Sequence, residues 1–226
     1  KNNGLNKIVF SSTAAAYGSV TKNKLIDENT NLNPQNPYAE SKIKTENFLF
    51  ENKDDYKFII LRYFNVAGAD KKLRTGLISK SSTNLIKVIC EVAIGKRKKF
   101  KINGNNYNTK DGTPIRDFIH VADLAEIHYL SAKYLINKNK SNIFNCGYGV
   151  GYSVKEILNN INSLITNKIP IVYGKRRLND IAISISNTKK FNNYFKWYPK
   201  NNNLKNILHS SLEWEKKYYK LKNKKK

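Results

Sequence analysis

The stretch KFIILRYFNVAGA (57–69) is a near-continuous run of β-branched and aromatic residues that ends in Ala-Gly. Such a run is typical of a strand buried in a parallel sheet. A shorter apolar run, Ile8–Ser11, lies upstream, and between the two Glu40–Glu51 is rich in helix formers and free of glycine and proline. Strand, helix and strand at this spacing predict a βαβ unit with a right-handed crossover.

The rest of the chain continues this alternation without internal repeats. The predicted elements are a helix over about Asn84–Ile94 stopped by Gly95, a helix over Val121–Ile136, a strand within SNIFNCGYG (141–149), a helix opened by the capping-box pair Ser153 and Glu156, and a strand in IPIVYGKRR (169–177). Residues 71–83 are polar and predicted to form a loop. The order indicates an α/β fold, in which ligands bind beyond the carboxyl ends of the strands.

The composition is that of a folded protein. The chain has 226 residues, of which 40% are hydrophobic and 12% aromatic, enough for one large domain or two small ones. No apolar run approaches the ~20 residues of a membrane span, and we expect no signal peptide. Cys90 and Cys146 lie far apart without a C-x-x-C motif or a histidine partner, so we expect no disulfide, no metal site and a cytoplasmic location.

The net charge of +24 raises the question of a polyanionic partner. Lysines are scattered along the chain beside many asparagines, and only Lys96–Lys101 and Glu215–Lys226 form basic blocks. We interpret these blocks as solvated faces and a frayed tail. We therefore expect neither nucleic acid nor a membrane as a partner. The alternative hypothesis is that the protein is not an enzyme but a basic module that binds nucleic acid.

The sequence contains no methionine, and NKIVFSST (6–13) already has the pattern of a buried strand in mid-domain. We therefore expect the chain to lack an N-terminal section.

PYAESK (37–42) places a tyrosine and a lysine four residues apart. Pro37 suits the first turn of a helix, and residues i and i+4 share one helix face, so Tyr38 and Lys42 can point into one pocket. The alternative is a half-buried tyrosine beside a solvated lysine, since Y-x-x-x-K is common by chance.

Further polar candidates follow the other predicted strands. They are the hydroxyls of SSTAAAYG (11–18), Asn65 after LRYF, Arg116 and Asp117 in TPIRDFIHVADL (113–124), and Arg177 and Asp180 in GKRRLND (174–180). Taken singly, such residues often cap turns or form surface ion pairs of little energetic value. Their combination at strand ends favours a ligand site.

Taken together, SSTAAAYG, PYAESK, LRYFNVAGAD, YNTKDGTPIRDFIHVADLA, NCGYGVGYSV and RRLND resemble the UDP-glucose 4-epimerases, extended short-chain dehydrogenase/reductase enzymes that bind NAD tightly. The resemblance runs from Lys7 to Trp214. It implies a Rossmann-like parallel sheet plus a smaller α/β substrate domain. The implied division is 1–72 and 116–150 for the NAD-binding domain, and 73–115 and 151–226 for the UDP-sugar-binding domain.

The resemblance implies that Tyr38 is the base for the sugar 4-hydroxyl, that Lys42 holds the nicotinamide ribose, and that Thr13 relays the proton. A free tyrosine, with a pKa of about 10, is a poor base at neutral pH, and an ammonium one helical turn away favours its anion. Hydride would pass from sugar C4 to NAD and return to the other face. The implied cofactor contacts are Ser11, Ser12, Tyr38, Lys42, Tyr63 and Phe64.

The implied UDP-sugar contacts come from later motifs. They are Asn65 at the sugar, Asn84 and Leu85 at the diphosphate, Lys101, Ile102 and Asn103 at the uracil, Arg116 and Arg177 as phosphate clamps, Asp180 at the uridine ribose, and Ser184 beside the hexose. The partners implied are a UDP-hexose and a second copy of the chain in a homodimer, and the pathway is galactose metabolism.

The sequence also departs from the family pattern. The fingerprint G-x-x-G-x-x-G should precede residue 1, Asn103 replaces an aromatic residue, and Phe118 replaces a common tyrosine. Ser184 replaces a bulky tyrosine and leaves room for an N-acetyl group, so a UDP-N-acetylglucosamine 4-epimerase or another sugar-nucleotide enzyme is the alternative. The alanines of STAAAYG argue against a 4,6-dehydratase, and an inactive fragment is a further alternative.

Overall fold

The computed structural model describes residues 4–19, 25–178 and 180–223. Its strands are β1 Lys7–Thr13, β2 Lys57–Tyr63, β3 Asn65–Ala67, β4 Phe100–Asn103, β5 Ile115–His120, β6 Asn142–Cys146, β7 Gly151–Ser153, β8 Ile171–Gly174 and β9 Ile183–Ser184. Its helices are α1 Pro37–Glu51, α2 Leu85–Ala93, α3 Val121–Lys138, α4 Val154–Asn162, α5 Lys189–Phe195 and α6 Leu204–Asn223. This is the α/β fold that the sequence predicts.

A three-stranded parallel sheet has the order β1-β2-β6. Lys7 of β1 lies opposite Lys57 of β2, and Thr13 lies opposite Tyr63, so both strands end at the same edge. Helix α1 connects these two strands, which confirms the predicted strand–helix–strand unit. The polar residues that follow β1 and β2 are therefore brought together.

The prediction of one strand over Lys57–Ala69 is wrong. Strand β2 ends at Tyr63, and β3 begins at Asn65 in a different sheet, where it pairs with β5. Phe64 stands between the strands and is buried against Ala14, Tyr17 and Ile26. The run is largely apolar because β2 and Phe64 are buried and β3 is half-buried, so hydrophobicity alone cannot reveal the change of sheet.

Two hydrophobic cores lie on either side of this change of sheet. The first includes Ile89 of α2, Phe100 of β4, Ile157 of α4 and Ile207 of α6. The second packs helices α3 and α5 on the parallel sheet, with Ile59, Ile127, Phe144, Phe191 and Trp197 buried. In the second core Phe144 and Phe191 meet edge-on, with ring centroids 5.3 Å apart.

Local capping interactions set the helix starts. The side chain of Asn36 accepts a hydrogen bond from the Ala39 amide at 2.9 Å, and Asn84 accepts one from Lys87 at 3.2 Å. Ser153 and Glu156 form the predicted capping box at α4. Gly95, with φ of +76°, follows the end of α2 in a conformation that glycine favours.

The predictions for the two basic blocks need correction. Lys96 and Arg97 both form ion pairs with the buried carboxylate of Glu91, so the start of the first block is not a solvated face. The second block is not a frayed tail: α6 runs to Asn223, and Glu215 pairs with Lys87 at 2.6 Å in the interior. Residues 224–226 of the predicted tail lie outside the described residues.

A buried ion pair holds α1 against the sheet. Arg62 of β2 donates to Glu46 from Nε at 3.0 Å and from Nη2 at 2.5 Å, and both side chains are at most 4% exposed. The hydroxyl of Ser12 also donates to Glu46. Tyr17 accepts from Arg62 at 3.0 Å and donates to Asn145 at 2.7 Å, while burial raises the pKa of Tyr17 to about 12 and keeps it neutral.

Within the described ranges, no helix is both long and apolar enough to cross a membrane.

Replacing Arg62 with methionine should lower the free energy of unfolding by ~3–5 kcal/mol, because Glu46 would remain buried without its cation. Urea denaturation of the variant and the parent protein measures this loss. The matched control is Arg74→Met, which breaks the Arg74–Asp70 pair, where the arginine is 70% exposed, and should leave the midpoint nearly unchanged. Equal effects of the two substitutions would contradict the role given to the buried pair.

Candidate active site

Tyr38 and Lys42 lie on one face of α1, as predicted. The ammonium of Lys42 is 5.8 Å from the centroid of the Tyr38 ring and 5.1 Å from that of Phe10 in β1. Tyr38 is 57% exposed, and Lys42 is half-buried. The lysine thus places its positive charge close to two aromatic rings, one on its own helix and one in β1.

Hydroxyl groups near the carboxyl ends of β1 and β2 are joined by hydrogen bonds. Tyr63 donates to Ser11 Oγ at 2.6 Å, and its hydroxyl also contacts His128 Nε2. Burial raises the pKa of Tyr63 to about 12, and the hydrogen bond to Ser11 opposes that rise. His128 was not singled out by sequence reasoning, because a histidine within a helix gives no local signal.

The other predicted residues at this edge are more enclosed. Thr13 is 8% exposed, and its Oγ1 accepts from the Ala15 amide at 3.1 Å, so it caps the short turn that follows β1. The Ser12 hydroxyl is turned to Glu46, and Phe64 is buried in its small core cluster. The side chains of Ser12 and Phe64 are therefore buried and do not reach the surface at the carboxyl ends of β1 and β2.

A cavity of about 410 Å³ opens beside Asn65. Every predicted UDP-sugar contact except Ser184 lies in its wall, namely Asn65, Asn84, Leu85, Lys101, Ile102, Asn103, Arg116, Arg177 and Asp180. These residues come from β3, α2, β4, β5 and the segment after β8. Residues far apart in the sequence thus meet in one pocket of the size usual for a small-molecule ligand.

Arg116 pairs with Asp180 and not with its sequence neighbour Asp117. Its Nη2 donates to Asp180 Oδ1 at 2.6 Å, and Tyr107 donates to Oδ2 at 2.8 Å. The guanidinium of Arg176 lies 3.9 Å from the Tyr107 ring centroid. Sequence reasoning missed Tyr107, which sits in a loop and whose partner lies 73 residues away.

The cavity wall is strongly cationic. It contains Arg97, Lys99, Lys101, Arg116 and Arg177, against the carboxylate of Asp180. Arg177 donates from Nε at 3.2 Å and from Nη2 at 3.3 Å to the amide oxygen of Asn103, in the orientation that satisfies both groups. Asn84 begins α2 at the same wall, where helix amides favour anions. The arrangement suits a ligand with several negative charges.

Asp117 is a buried anchor beneath this wall. It accepts from the amides of Tyr148 and Gly149, each at 2.9 Å, and from Ser186 Oγ at 2.5 Å. Burial raises the pKa of Asp117, and these donors oppose the rise. Asp117 thus ties β5 to Ser186, which follows β9. Ser184, the last residue of β9, pairs in register with Arg116 of β5. Ser184 is therefore close to the cavity, because its strand pairs with β5, but it does not line the cavity wall.

None of the described residues form a group of three or more histidine, cysteine or acidic side chains that could hold a metal ion.

Comparison with known proteins supplies the family. Residues 1–147 match the model of the NAD dependent epimerase/dehydratase family. The UDP-glucose 4-epimerase of Azospirillum brasilense is 40% identical over 214 residues, which cover 94% of this chain and 61% of that protein. The chain thus spans less than two thirds of that relative's length.

Solved structures agree with this match. The UDP-glucose 4-epimerase of Bifidobacterium longum, in complex with NAD+ and UDP, has a TM-score of 0.87 at 32% identity and covers 96% of this chain and 65% of its own. The UDP-Glc/GlcNAc 4-epimerase of Campylobacter jejuni has a TM-score of 0.78 at 42% identity, with 96% and 66% covered. The resemblance predicted from the motifs is confirmed.

Proposed function

The chain belongs to the NAD dependent epimerase/dehydratase family, and on that premise we propose that its protein interconverts UDP-glucose and UDP-galactose through transient oxidation at sugar C4. One observation carries the proposal. The residues assigned to the UDP-sugar by resemblance, from Asn65 to Asp180, line a single cationic cavity, and Asn65 in its wall comes two residues after Tyr63, whose hydroxyl bonds Ser11 near the end of the parallel sheet.

The cavity would bind the nucleotide in two parts. The guanidinium groups of Arg116 and Arg177, with the amides at the start of α2, would hold the diphosphate. Asp180 would accept from the uridine ribose, for which its contact with Tyr107 already orients it. In the described part of the chain β4 has β8 as its strand neighbour, so the opposite edge of Lys101–Asn103 can read the uracil.

The polar groups at the sheet edge would perform the proton transfer. Tyr38 would take the proton of the sugar 4-hydroxyl, Thr13 would bond the same oxygen, and the Lys42 ammonium would lie beside the ring that receives the proton. When bound, NAD supplies a reversible hydride acceptor at C4. An ammonium group, two phenols and a serine hydroxyl can all hydrogen-bond a nicotinamide ribose. The residues that would face it are Lys42, Tyr38, Tyr63 and Ser11. Ser12 and Phe64 would support it from behind.

The proposed division of labour differs from the two cores at Phe118, which is buried in the first core, and at Phe191 and Trp197, which are buried in the second. Residues 1–72 and 116–150 would bind NAD, and 73–115 with 151–226 would bind the UDP-sugar. We place the protein in the cytoplasm, since both cysteines are free and buried. A homodimer is proposed as its assembly, on the ground of the family resemblance alone.

UDP-N-acetylglucosamine is the second candidate substrate. Ser184 is small, and it lies in register with Arg116 at the cavity. The Campylobacter jejuni enzyme, 42% identical, is named for both glucose and N-acetylglucosamine substrates. These two observations favour a pocket wide enough for an acetamido group.

Replacing Arg177 with alanine should weaken UDP binding by roughly 10- to 100-fold, because a charge-assisted phosphate contact is lost. Titration calorimetry with UDP measures the dissociation constant. Lys175→Ala is the matched control, since it removes one exposed cation from the same segment outside the cavity wall. Equal loss in both variants would indicate diffuse attraction of polyanions, as the nucleic-acid alternative requires.

Replacing Tyr38 with phenylalanine in the full-length protein should reduce turnover by about 10²- to 10⁴-fold, since the general base is removed. NAD binding should persist, because Lys42 and the edge hydroxyls remain. Tyr129→Phe removes a hydroxyl from a 64% exposed ring on α3 and serves as the control. A coupled assay of UDP-galactose conversion reports the rate, and near-parental turnover in Tyr38→Phe would rule out this base.

Replacing Ser184 with tyrosine should selectively remove activity on UDP-N-acetylglucosamine, because the ring fills the space for the acetamido group. Conversion of UDP-glucose should change by only a few-fold. Chromatography of the sugar nucleotides gives both rates for the parent, for Ser184→Tyr and for the conservative control Ser184→Ala. A parent protein inactive on the N-acetylated sugar would leave UDP-glucose as the substrate.

A further inference from the structure

Tyr107 holds the carboxylate of Asp180 from outside the UDP-sugar cavity. Its side chain is 4% exposed and does not line the cavity, whereas Asp180 is part of the wall. The hydroxyl donates to Asp180 Oδ2 at 2.8 Å, and the Asn103 carbonyl, at 3.4 Å, is the more distant acceptor. Burial raises the pKa of Tyr107 and Asp180 adds to the rise, so the phenol keeps the proton that it donates.

The carboxylate of Asp180 is bonded at both oxygens and still has room for a ligand. Arg116 donates from Nη2 to Oδ1 at 2.6 Å, and Tyr107 donates to Oδ2. A carboxylate has about four acceptor positions, and the described residues fill two of them. The adjacent hydroxyls of a ribose are two donors side by side, which suit the remaining acceptor positions on the two oxygens.

The bond from Tyr107 also limits how Asp180 pairs with Arg116. Arg116 reaches the carboxylate through one nitrogen, Nη2, although a guanidinium and a carboxylate often form two parallel bonds. Tyr107 occupies Oδ2, the oxygen that the second bond would need. Without this hydroxyl the carboxylate would be free to turn and form both bonds with Arg116. Fewer acceptor positions would then remain for a ribose.

Arg176 connects Tyr107 to the segment that carries Asp180. Its guanidinium carbon lies 3.9 Å from the centroid of the Tyr107 ring. Gly104 leaves the space for this contact, because a Cβ at that position would collide with Arg176 Cγ and lie 2.8 Å from Tyr107 Cε2. The Gly104 amide donates to the Gly174 carbonyl at 2.8 Å. The loop after β4 and the segment after β8 are therefore joined on both sides of this ring contact.

We propose that Tyr107, held by Arg176, is a positioning residue that makes the cavity selective for a ribonucleotide over a nucleotide without ribose hydroxyls. Tyr107 keeps Asp180 from pairing with Arg116 through both oxygens, so that the carboxylate stays open to the ribose. The inference rests on the proposed function, because it takes Asp180 as the residue that accepts from the uridine ribose.

The test compares how UDP and dideoxy-UDP, which lacks both ribose hydroxyls, bind to the full-length protein in titration calorimetry. The two probes share the uracil and the diphosphate, so the ratio of their dissociation constants reports the hydroxyl contacts alone. We expect the parent to bind UDP ~10- to 100-fold more tightly, as hydrogen bonds to a charged acceptor allow. Tyr107→Phe keeps the ring against Arg176 and removes the hydroxyl, and it should lower this ratio at least ~5-fold.

Three further variants separate positioning from a general loss of structure. Tyr173→Phe removes the hydroxyl of a 52% exposed ring on β8, outside the cavity wall, and should leave both dissociation constants unchanged. Asp180→Ala should remove most of the preference for UDP, and adding Tyr107→Phe should then change the ratio no further. Arg176→Gln, at an exposed position, should lower the ratio by ~2- to 5-fold and decides the question if Tyr107→Phe fails to fold.

An unchanged or increased ratio in Tyr107→Phe overturns this inference, even where both affinities fall together. An effect of Tyr107→Phe that persists in the Asp180→Ala background also overturns it, as does a parent protein without a preference for UDP. In each of these cases UDP still binds, so the proposed function stands. If the parent binds neither probe, the proposed function fails and this inference fails with it.

Discussion

The bidentate ion pair between Arg62 and Glu46 fixes the geometry on which the proposed chemistry depends. Glu46 lies one turn beyond Lys42 and two turns beyond Tyr38 on the same helix, so the three side chains share a face of α1. Arg62 belongs to β2, and Ser12 of β1 also donates to Glu46. One buried carboxylate thus sets the rotation of the helix against two strands, and a geometry with two parallel bonds tolerates little sliding.

A second cluster of buried charges joins two helices of the other core, α2 and α6. Glu91 on α2 and Glu215 on α6 face each other across Lys87, and Lys96 and Arg97 close the cluster from the basic block. Part of the large positive charge therefore serves to neutralise buried carboxylates. Much of the remainder near the site faces the UDP-sugar cavity, where Lys99, Lys101 and Arg177 favour an anionic ligand.

The sequence predicted well what is decided locally. Asn84 and Gly95 bound α2, and Ser153 with Glu156 starts α4, because caps act on amides within one turn. Hydrogen bonds between residues far apart in the chain leave no signal in the local sequence. Arg116 bonds Asp180, 64 residues away, although Asp117 is adjacent, and Tyr107 was not singled out at all. The block Glu215–Lys226 was predicted to be a frayed tail because its many lysines obscure the burial of Glu215 against Lys87. Resemblance, which carries long-range information, supplied most of the cavity residues.

The break at Phe64 links the two halves of the proposed site. Tyr63 ends the parallel sheet with its hydroxyl on Ser11, and Asn65 begins β3 in the cavity wall. Two residues of extended chain span at most about 7 Å, so the hydroxyl chain and the cavity cannot separate without breaking a strand. Burial of Phe64 against Tyr17, whose hydroxyl belongs to the Arg62 network, holds that junction in place. Phe64, which made the change of sheet hard to recognise in the sequence, thus also keeps the cavity at Asn65 attached to the hydroxyl contacts of Tyr63.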